Sequence, residues 1–524
     1  MATYSVLIKG GMVAREKKLE RLDVGIKDDK IEAVGDLSGS EAPLIVEASG
    51  KCVAPGFIDL TSHSDTHWTL FSQPSQESLV RQGITTILGG NCGSSLAPLV
   101  KAGDISGIQK WTDIRGVNVN WQRLSEFFDE LERHPLGVNF ATLVGHGTLR
   151  RGVVGDEARP ATKEEIDQMR LLLSQALEEG AFGLSTSLGA AHGRSAGDDE
   201  LLGLFNVTSL YSGFTKHHLK DEGKNILPAM VQLIQYARDS QVPVQFSHFK
   251  VLGRQVWPIF DDTMRLIEEV REEGLSVTLD MFPYTRTGTP LYQLLPPWIL
   301  EGGKEKILAS LRDETMRKDV ISYLRSLTLH YERVTVASTR ELADPVGKTI
   351  QELGARAELP PEEIILELLL TSELTVSIFN EVISPEHIEK LIKKEYTMLA
   401  SDGVGYQGGA ELPYEIPHPR SFGSYPRAMA LFSREKNILS LGELVYKMTE
   451  FPSRVSGLKE RGKIQKGFFA DVVVLDPEMV QSSADWGNPT VFPEGIEWVF
   501  VNGKKAVEKG ELSGNLAGRI LRKR

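Results

Sequence analysis

The sequence contains only two cysteines, Cys52 and Cys92, among 524 residues. This scarcity excludes a framework of disulfides, and a reducing cytoplasm is the compartment that it predicts. Each cysteine must therefore be interpreted singly, either as a small core residue or as a metal ligand or nucleophile.

Long apolar runs are also missing. No stretch of 18 or more apolar residues occurs, so no transmembrane helix is expected. The apolar run at residues 4–8 is too short for the apolar region of a signal peptide, and charges follow it at once. The sequence thus predicts neither a membrane span nor a secretion signal.

An excess of positive charge is absent as well, because 59 Lys and Arg against 71 Asp and Glu give a formal net charge of −12. Nucleic acids and anionic membranes bind basic surfaces, so neither is an expected partner. The expected partner is a small molecule. An anionic substrate is not excluded, because a local pocket can oppose the global charge. The sequence leaves the oligomeric state open.

The chain is long enough for more than one domain. Residues 1–54 and 460–524 are rich in short alternating strands punctuated by Gly and Asp, which predicts one composite β domain built from both ends. Residues 55–459 alternate apolar strands with amphipathic helices, which predicts a catalytic (β/α)8 barrel of the TIM type. Residues 285–345 are too long for a loop and predict an inserted subdomain or lid.

Each of the eight predicted barrel strands is a short apolar segment. They are residues 56–60, 84–90, 139–147, 181–188, 212–218, 244–251, 276–284 and 397–403. Catalytic groups of such barrels lie at the carboxyl ends of the strands. Metal-capable residues occur there, namely His63, Cys92, His146, His218, His248 and Asp402. One histidine at a strand end is more often structural, but this many at the same barrel end are hard to attribute to packing.

Successive segments of the chain resemble the signatures of a known family. They are GFIDLTSHSD, ITTILGGNCGSSLAP, LVGHGTLRRGVVG, ALEEGAFGLSTSLG, HHLKDEG, SHFK, LASDG, HPRSFGSYPRAM and KGFFADVVVLDP. In this order they resemble the D-aminoacylase branch of the amidohydrolase superfamily, nearly from end to end. The resemblance implies the barrel with its composite β domain and a zinc-dependent hydrolysis of N-acyl-D-amino acids.

The resemblance also implies roles for single residues. The zinc ligands of the family match Cys92, His218 and His248, a donor set that suits zinc and leaves a fourth position for water. The alternative interpretation of Cys92 is an inert buried thiol. The general base of the family matches Asp402. The alternative interpretation of Asp402 is a turn residue in Ser-Asp-Gly.

One position departs from the family pattern. Most members have His-x-His after the first strand, where this chain has Thr61 and His63. In the family that this chain resembles, that pair belongs to a second, weaker metal position, and Thr is a poor zinc ligand. The substitution predicts one tightly bound zinc ion and leaves His63 a supporting or substrate-binding role.

The substrate contacts implied by the resemblance are Lys250 and Tyr284, which would hold the α-carboxylate, with Arg286 and Arg420 as further anionic contacts. The leading hypothesis is therefore an amidohydrolase of linear N-acyl-D-amino acids. The alternatives are an amidohydrolase of cyclic amides and a catalytically silent paralogue. The side chain and acyl group preferred stay open.

Overall fold

The computed structural model describes residues 4–107, 119–155, 157, 159–300, 303–327, 329–339, 341–410 and 412–523. Strands from both ends of this chain form one nine-stranded sheet. Its strands are Val6–Arg15, Lys18–Lys27, Lys30–Gly35, Leu44–Glu47, Cys52–Pro55, Val472–Leu475, Ile496–Val501, Lys504–Glu508 and Glu511–Leu512. Cys52–Pro55 pairs antiparallel with Val472–Leu475, which joins the two ends. Alternate residues such as Val13, Val53 and Val472 form an apolar core of this sheet.

The barrel is made of short, buried parallel strands. Within the described residues its eight strands are Phe57–Asp59, Ile84–Gly89, Asn139–Thr142 continued by Val144–Gly145, Gly183–Ser187, Phe214–His218, Val244–Phe246, Val277–Met281 and Thr397–Leu399. Neighbours along this order pair in parallel, and a parallel bridge from Ser62 to Gly403 links the first strand to the eighth. Each strand lies in a predicted segment, so the predicted barrel is confirmed.

Helices surround the barrel. Among the described residues they are Thr69–Ser72, Glu77–Val80, Leu124–Glu132, His146–Val154, Lys163–Glu178, Ala191–Arg194, Asp198–Leu210, Ile226–Ser240, Phe260–Glu272, Pro385–Lys393, Arg420–Ala428, Leu441–Met448 and Glu450–Ser456, with a π-helix at Met429–Glu435. The helix Lys163–Glu178 illustrates how the local sequence determines a helix. Thr162 and Glu165 form a capping box at its start, and Met169 and Leu173 are buried at helical spacing.

A segment inserted after the seventh barrel strand forms its own small sheet. Its strands are Arg286–Pro290, Val334–Ser338 and Ser377–Glu381, and its helices are Pro297–Leu300, Gly303–Arg312, Glu314–Ser326, Ile350–Ala357 and Pro361–Thr371. A separate apolar core includes Leu311, Val336 and Ile365. The segment extends past residue 345, its predicted end, because Ser377–Glu381 is the central strand and pairs with both others. No helix among the described residues has the length and apolar content to cross a membrane.

Candidate metal centre and active site

Cys92, His218 and His248 meet at the carboxyl end of the barrel. Cys92 lies in the loop after the second strand, His218 is the last residue of the fifth, and His248 lies two residues beyond the sixth. His248 Nε2 is 3.4 Å from Cys92 Sγ and 3.1 Å from His218 Nδ1. All three donor atoms lie within 4.8 Å of one another. One sulfur and two imidazole nitrogens in this arrangement fit a zinc ion.

Glycines let the loop that carries Cys92 pack closely on its neighbours. A Cβ at Gly90, whose φ is +70°, would lie 2.1 Å from the carbonyl oxygen of Leu143. A Cβ at Gly93, whose φ is +72°, would lie 2.9 Å from the backbone nitrogen of Ser187. The loop therefore reaches the other ligands only with glycine at these positions.

Cys92 and His248 form a charged pair. Burial opposes ionisation of the Cys92 thiol, but the His248 imidazolium and hydrogen bonds from three histidines hold its pKa well below 9.0. Burial and Lys250 lower the pKa of His248, whereas Asp402 and Cys92 raise it, and the net pKa is about 10. The pair thus shares one proton at neutral pH as thiolate and imidazolium, and the deprotonated sulfur is the form that binds metal.

Asp402 lies beyond the end of the eighth strand, beside this pair. Its Oδ1 is 3.0 Å from His63 Nε2, and its Oδ2 is 2.6 Å from Arg420 Nη1. Burial favours the neutral carboxyl group, but Arg420, His248 and His63 outweigh burial and hold the pKa of Asp402 well below 3.8. Asp402 is therefore a buried, ionised carboxylate whose two oxygens are both fixed.

Lys250 lies against the opposite side of His248. Its Nζ is 2.6 Å from Glu222 Oε1 and 3.0 Å from His248 Nδ1. Burial raises the pKa of Glu222, but the charges of Lys250 and His218 lower it more, to about 2. In this geometry the ammonium group of Lys250 is held by Glu222, so a substrate carboxylate at Lys250 would compete with Glu222.

Tyr284 and Arg286 form an aromatic wall together with His418 and Trp486. The Tyr284 ring is edge-on to His418 at 5.3 Å, and the Arg286 guanidinium lies 4.4 Å from the centre of the Trp486 ring. His418 Nδ1 accepts the backbone N–H of Arg420, which joins this wall to Asp402. Burial raises the pKa of Tyr284 to about 12, so its phenol is neutral, and its O–H donates to the carbonyl oxygen of Pro419 at 3.3 Å.

His146 and His217 lie apart from the metal-capable cluster. His146 begins a helix, and its Nε2 is 2.7 Å from Glu200 Oε1, a carboxylate that Arg150 also contacts. His217 stacks on Phe205 of an outer helix at 5.3 Å, and burial lowers its pKa to about 3. His217 therefore faces away from the barrel interior, while the adjacent His218 faces the site.

Comparisons with known proteins agree with this geometry. No protein-family model matches the chain. A D-aminoacylase of Alcaligenes xylosoxydans xylosoxydans is 31% identical over 99% of this chain and 97% of its own length. An N-acyl-D-glutamate deacylase of the same organism is 31% identical over 96% of this chain and 93% of its own.

The chain belongs to the D-aminoacylase family of amidohydrolases.

Solved structures of the D-aminoacylase family share the whole fold. One is a structure of D-aminoacylase that was described for the functional role of its binuclear metal centre, with one-metal activation and second-metal attenuation. It is 30% identical to this chain and has a TM-score of 0.84 over 99% of this chain and 100% of its own. An N-acyl-D-glutamate deacylase of Bordetella bronchiseptica, complexed with zinc and a phosphonate inhibitor, is 28% identical with a TM-score of 0.85 over the same shares. An L-hydantoinase of Arthrobacter aurescens, at 16% identity and a TM-score of 0.56, shows likeness of fold alone.

Thr61, which departs from the D-aminoacylase family pattern, is bound inside the barrel. Its Oγ1 accepts a hydrogen bond of 2.5 Å from Lys216 Nζ and donates one of 2.9 Å to Asp280 Oδ2. All three residues have no solvent-accessible side-chain surface. The hydroxyl is thus hydrogen-bonded to both the lysine and the aspartate of a buried ion pair.

Lys216, Glu222 and Asp280 are charged residues of the site that the motifs did not single out. Lys216 had a signal, because residues two apart on a strand share one face and His218 follows it at that spacing. Glu222 lies within the HHLKDEG segment and also had one. Asp280 had none, because its partners come from other strands of the barrel.

Proposed function

We propose that this chain is a zinc-dependent hydrolase of the amide bond of N-acyl-D-amino acids, releasing a carboxylate and a free D-amino acid. The observation that carries the proposal is the cluster of Cys92, His218 and His248 donor atoms within 4.8 Å, with the ionised Asp402 beside it. Relatives over nearly the full chain are named for deacylation of D-amino acids, which supports the substrate class.

Cys92, His218 and His248 would hold the metal ion. The zinc-complexed structure of a relative supports the choice of metal, and the donor set accords with it. A zinc ion bound there supplies a Lewis acid for the amide carbonyl and lowers the pKa of water.

Asp402 acts as the general base and acid. Its carboxylate takes a proton from the attacking water and later delivers it to the leaving amine nitrogen, so no net proton is consumed within the site. His63 and Arg420 fix its two oxygens and lower its pKa, which keeps the base ionised near neutral pH.

Cationic and hydrogen-bonding groups around the cluster bind the substrate carboxylate. Lys250 contacts His248, and Arg420 contacts Asp402. Tyr284 and Arg286 belong to the aromatic wall. A planar guanidinium binds a carboxylate through two parallel hydrogen bonds. The Tyr284 O–H donates to the Pro419 carbonyl oxygen at 3.3 Å and would have to turn from it to donate to the substrate. His63, through its contact with Asp402, keeps the base oriented when the substrate is bound.

The site takes one zinc ion per chain. Thr61 Oγ1 is already bound by the Lys216 ammonium, and a second cation beside that ammonium would be repelled. Thr61 also lacks the imidazole nitrogen that zinc prefers.

A screen for liberated amine tests the proposal. Zinc-loaded protein is incubated with paired N-acetyl-D- and N-acetyl-L-amino acids, and we expect release of free amine from D-substrates only. The Cys92→Ala variant is the control, and we expect it to lose tight zinc and turnover while its circular dichroism stays unchanged.

Each alternative predicts a different result. Hydrolysis of a cyclic amide but not of linear N-acetyl amino acids would contradict the proposed substrate. Tight zinc binding without release of amine from any substrate would indicate a catalytically silent paralogue.

A further inference from the structure

An ammonium group lies buried in the barrel directly below the metal-capable cluster. Lys216 is completely buried in the fifth strand, two residues before His218. Its Nζ donates to the carbonyl oxygen of Leu60 and to Thr61 Oγ1, and it lies 3.2 Å from Asp280 Oδ2. A buried charge is costly unless it is paired and hydrogen-bonded, and here three oxygens surround the group.

Asp280 connects this ammonium to a metal ligand. Asp280 Oδ1 accepts the backbone N–H of His248 at 2.6 Å, while Oδ2 faces Lys216 and accepts a 2.5 Å hydrogen bond from Gln245. The φ of His248 is +37°, in the left-handed region that a residue with a side chain seldom adopts. Such a conformation persists only where surrounding contacts hold it, and a hydrogen bond to a carboxylate is a strong contact.

We propose that Lys216 is a positioning residue of the metal centre. Its ammonium compensates the charge of Asp280 and fixes that carboxylate, and Asp280 in turn holds His248 in the strained conformation that directs Nε2 to Cys92 and His218. The inference rests on the zinc site proposed above. A merely structural ion pair would stabilise the fold without affecting zinc affinity, which separates the two roles.

Lys216→Met tests the proposal, because methionine keeps the length of the side chain and removes the charge. We expect the dissociation constant for zinc, measured by competition with a chromophoric chelator, to rise about 10- to 100-fold, the usual effect of disturbing a group that orients a metal ligand. The visible spectrum of the cobalt-substituted protein should also change, because it reports the geometry of thiolate and imidazole ligands. Neither readout depends on turnover.

Lys447→Met is the matched control. Lys447 is also a buried lysine, and its Nζ donates to the carbonyl oxygens of Lys394 and Thr397 at the other end of the eighth strand. We expect it to lower thermal stability and leave zinc affinity unchanged. An equal loss of affinity in both variants would show a general effect of burying fewer charges and would overturn the proposal.

A second pair of variants separates charge from hydrogen bonding and serves where Lys216→Met does not fold. Lys216→Met with Asp280→Asn removes both charges of this pair and keeps an oxygen for the His248 N–H, so we expect near wild-type zinc affinity. Lys216→Met with Asp280→Ala lacks that oxygen, and we expect affinity about 10- to 100-fold weaker. Equal affinities in the two double variants would overturn the proposal. Absence of zinc binding by the wild type would instead refute the proposed zinc site itself.

Discussion

Cys92, His248 and Asp402 all have left-handed backbones, with φ values of +52°, +37° and +51°. Residues with side chains adopt this region at a cost of about 1–3 kcal/mol, and they cluster where function requires a fixed geometry. In each case the residue follows a barrel strand, so the turn directs its side chain across the barrel mouth. The three strained residues thus lie around the same candidate metal centre.

Asp402→Asn should retain zinc and lose most turnover. Asparagine tolerates the left-handed conformation better than most residues, so the loop should keep its shape. It cannot take a proton from water near neutral pH, and loss of a general base lowers the rate about 10²–10⁴-fold. The loss should appear in kcat rather than KM. Loss of zinc together with turnover, shown by elemental analysis, would instead make Asp402 a metal ligand first.

Zinc binding should release about one proton per chain at neutral pH. The pKa of Cys92 lies well below 9.0 and that of His248 is about 10, so the metal-free pair holds one proton that a metal must displace. Affinity should therefore rise with pH up to about 10, because fewer protons compete. Calorimetry in buffers of different ionisation enthalpy measures the released proton. Release of two protons would contradict a ligand cluster that holds only one proton in the metal-free protein.

The barrel strands were predictable from sequence because each is a continuous buried apolar run between turns or helices. Their ends were less predictable. Residues 244–251 were predicted as one strand, but the strand ends at Phe246 because the chain turns into the left-handed His248. Residues 397–403 likewise end as a strand at Leu399, before Asp402. The segments leave the sheet where the site begins.

The candidate site was predictable only in part, for a physical reason. Cys92, His218, His248 and Asp402 follow apolar strands, and that position marks them in the sequence. Asp280 is identified only by side chains that lie far from it along the chain, such as Thr61. Charge pairs inside a barrel depend on which strands become neighbours, and local pattern does not contain that information.

Gly90→Ala should weaken zinc binding through the backbone of the Cys92 loop. The new Cβ would lie 2.1 Å from the Leu143 carbonyl oxygen, which belongs to the barrel backbone and cannot move aside. The loop would shift and carry the thiol away from the histidines. Gly457→Ala is the control, because Gly457 has a similar φ of +77° and open space around its Cβ position. We expect only Gly90→Ala to raise the zinc dissociation constant. An equal rise in both variants would mean that backbone strain, and not the contact with Leu143, weakens zinc binding.

At the scale of the whole molecule, the net charge is −12, and the cations around the barrel mouth and interior are each paired with a carboxylate. The pairs are Lys216–Asp280, Lys250–Glu222, Arg286–Glu381 and Arg420–Asp402. Each of these pairs is balanced in charge. A substrate carboxylate that binds at one of these cations therefore competes with a carboxylate of the chain.

The whole chain should bind one zinc ion tightly. In the proposed zinc site Cys92, His218 and His248 would supply three ligands, whereas Thr61 and the Lys216 ammonium occupy the place beside the first strand. A ligand that binds only the folded state stabilises it in proportion to the logarithm of its concentration above the dissociation constant. The unfolding temperature should consequently rise steeply up to one equivalent of zinc and only gradually thereafter. Elemental analysis after dialysis should give about one zinc per chain. Two ions retained after dialysis, with a second step in the thermal titration, would contradict the assignment of Thr61 and Lys216 and would require ligands for a second ion elsewhere in the site.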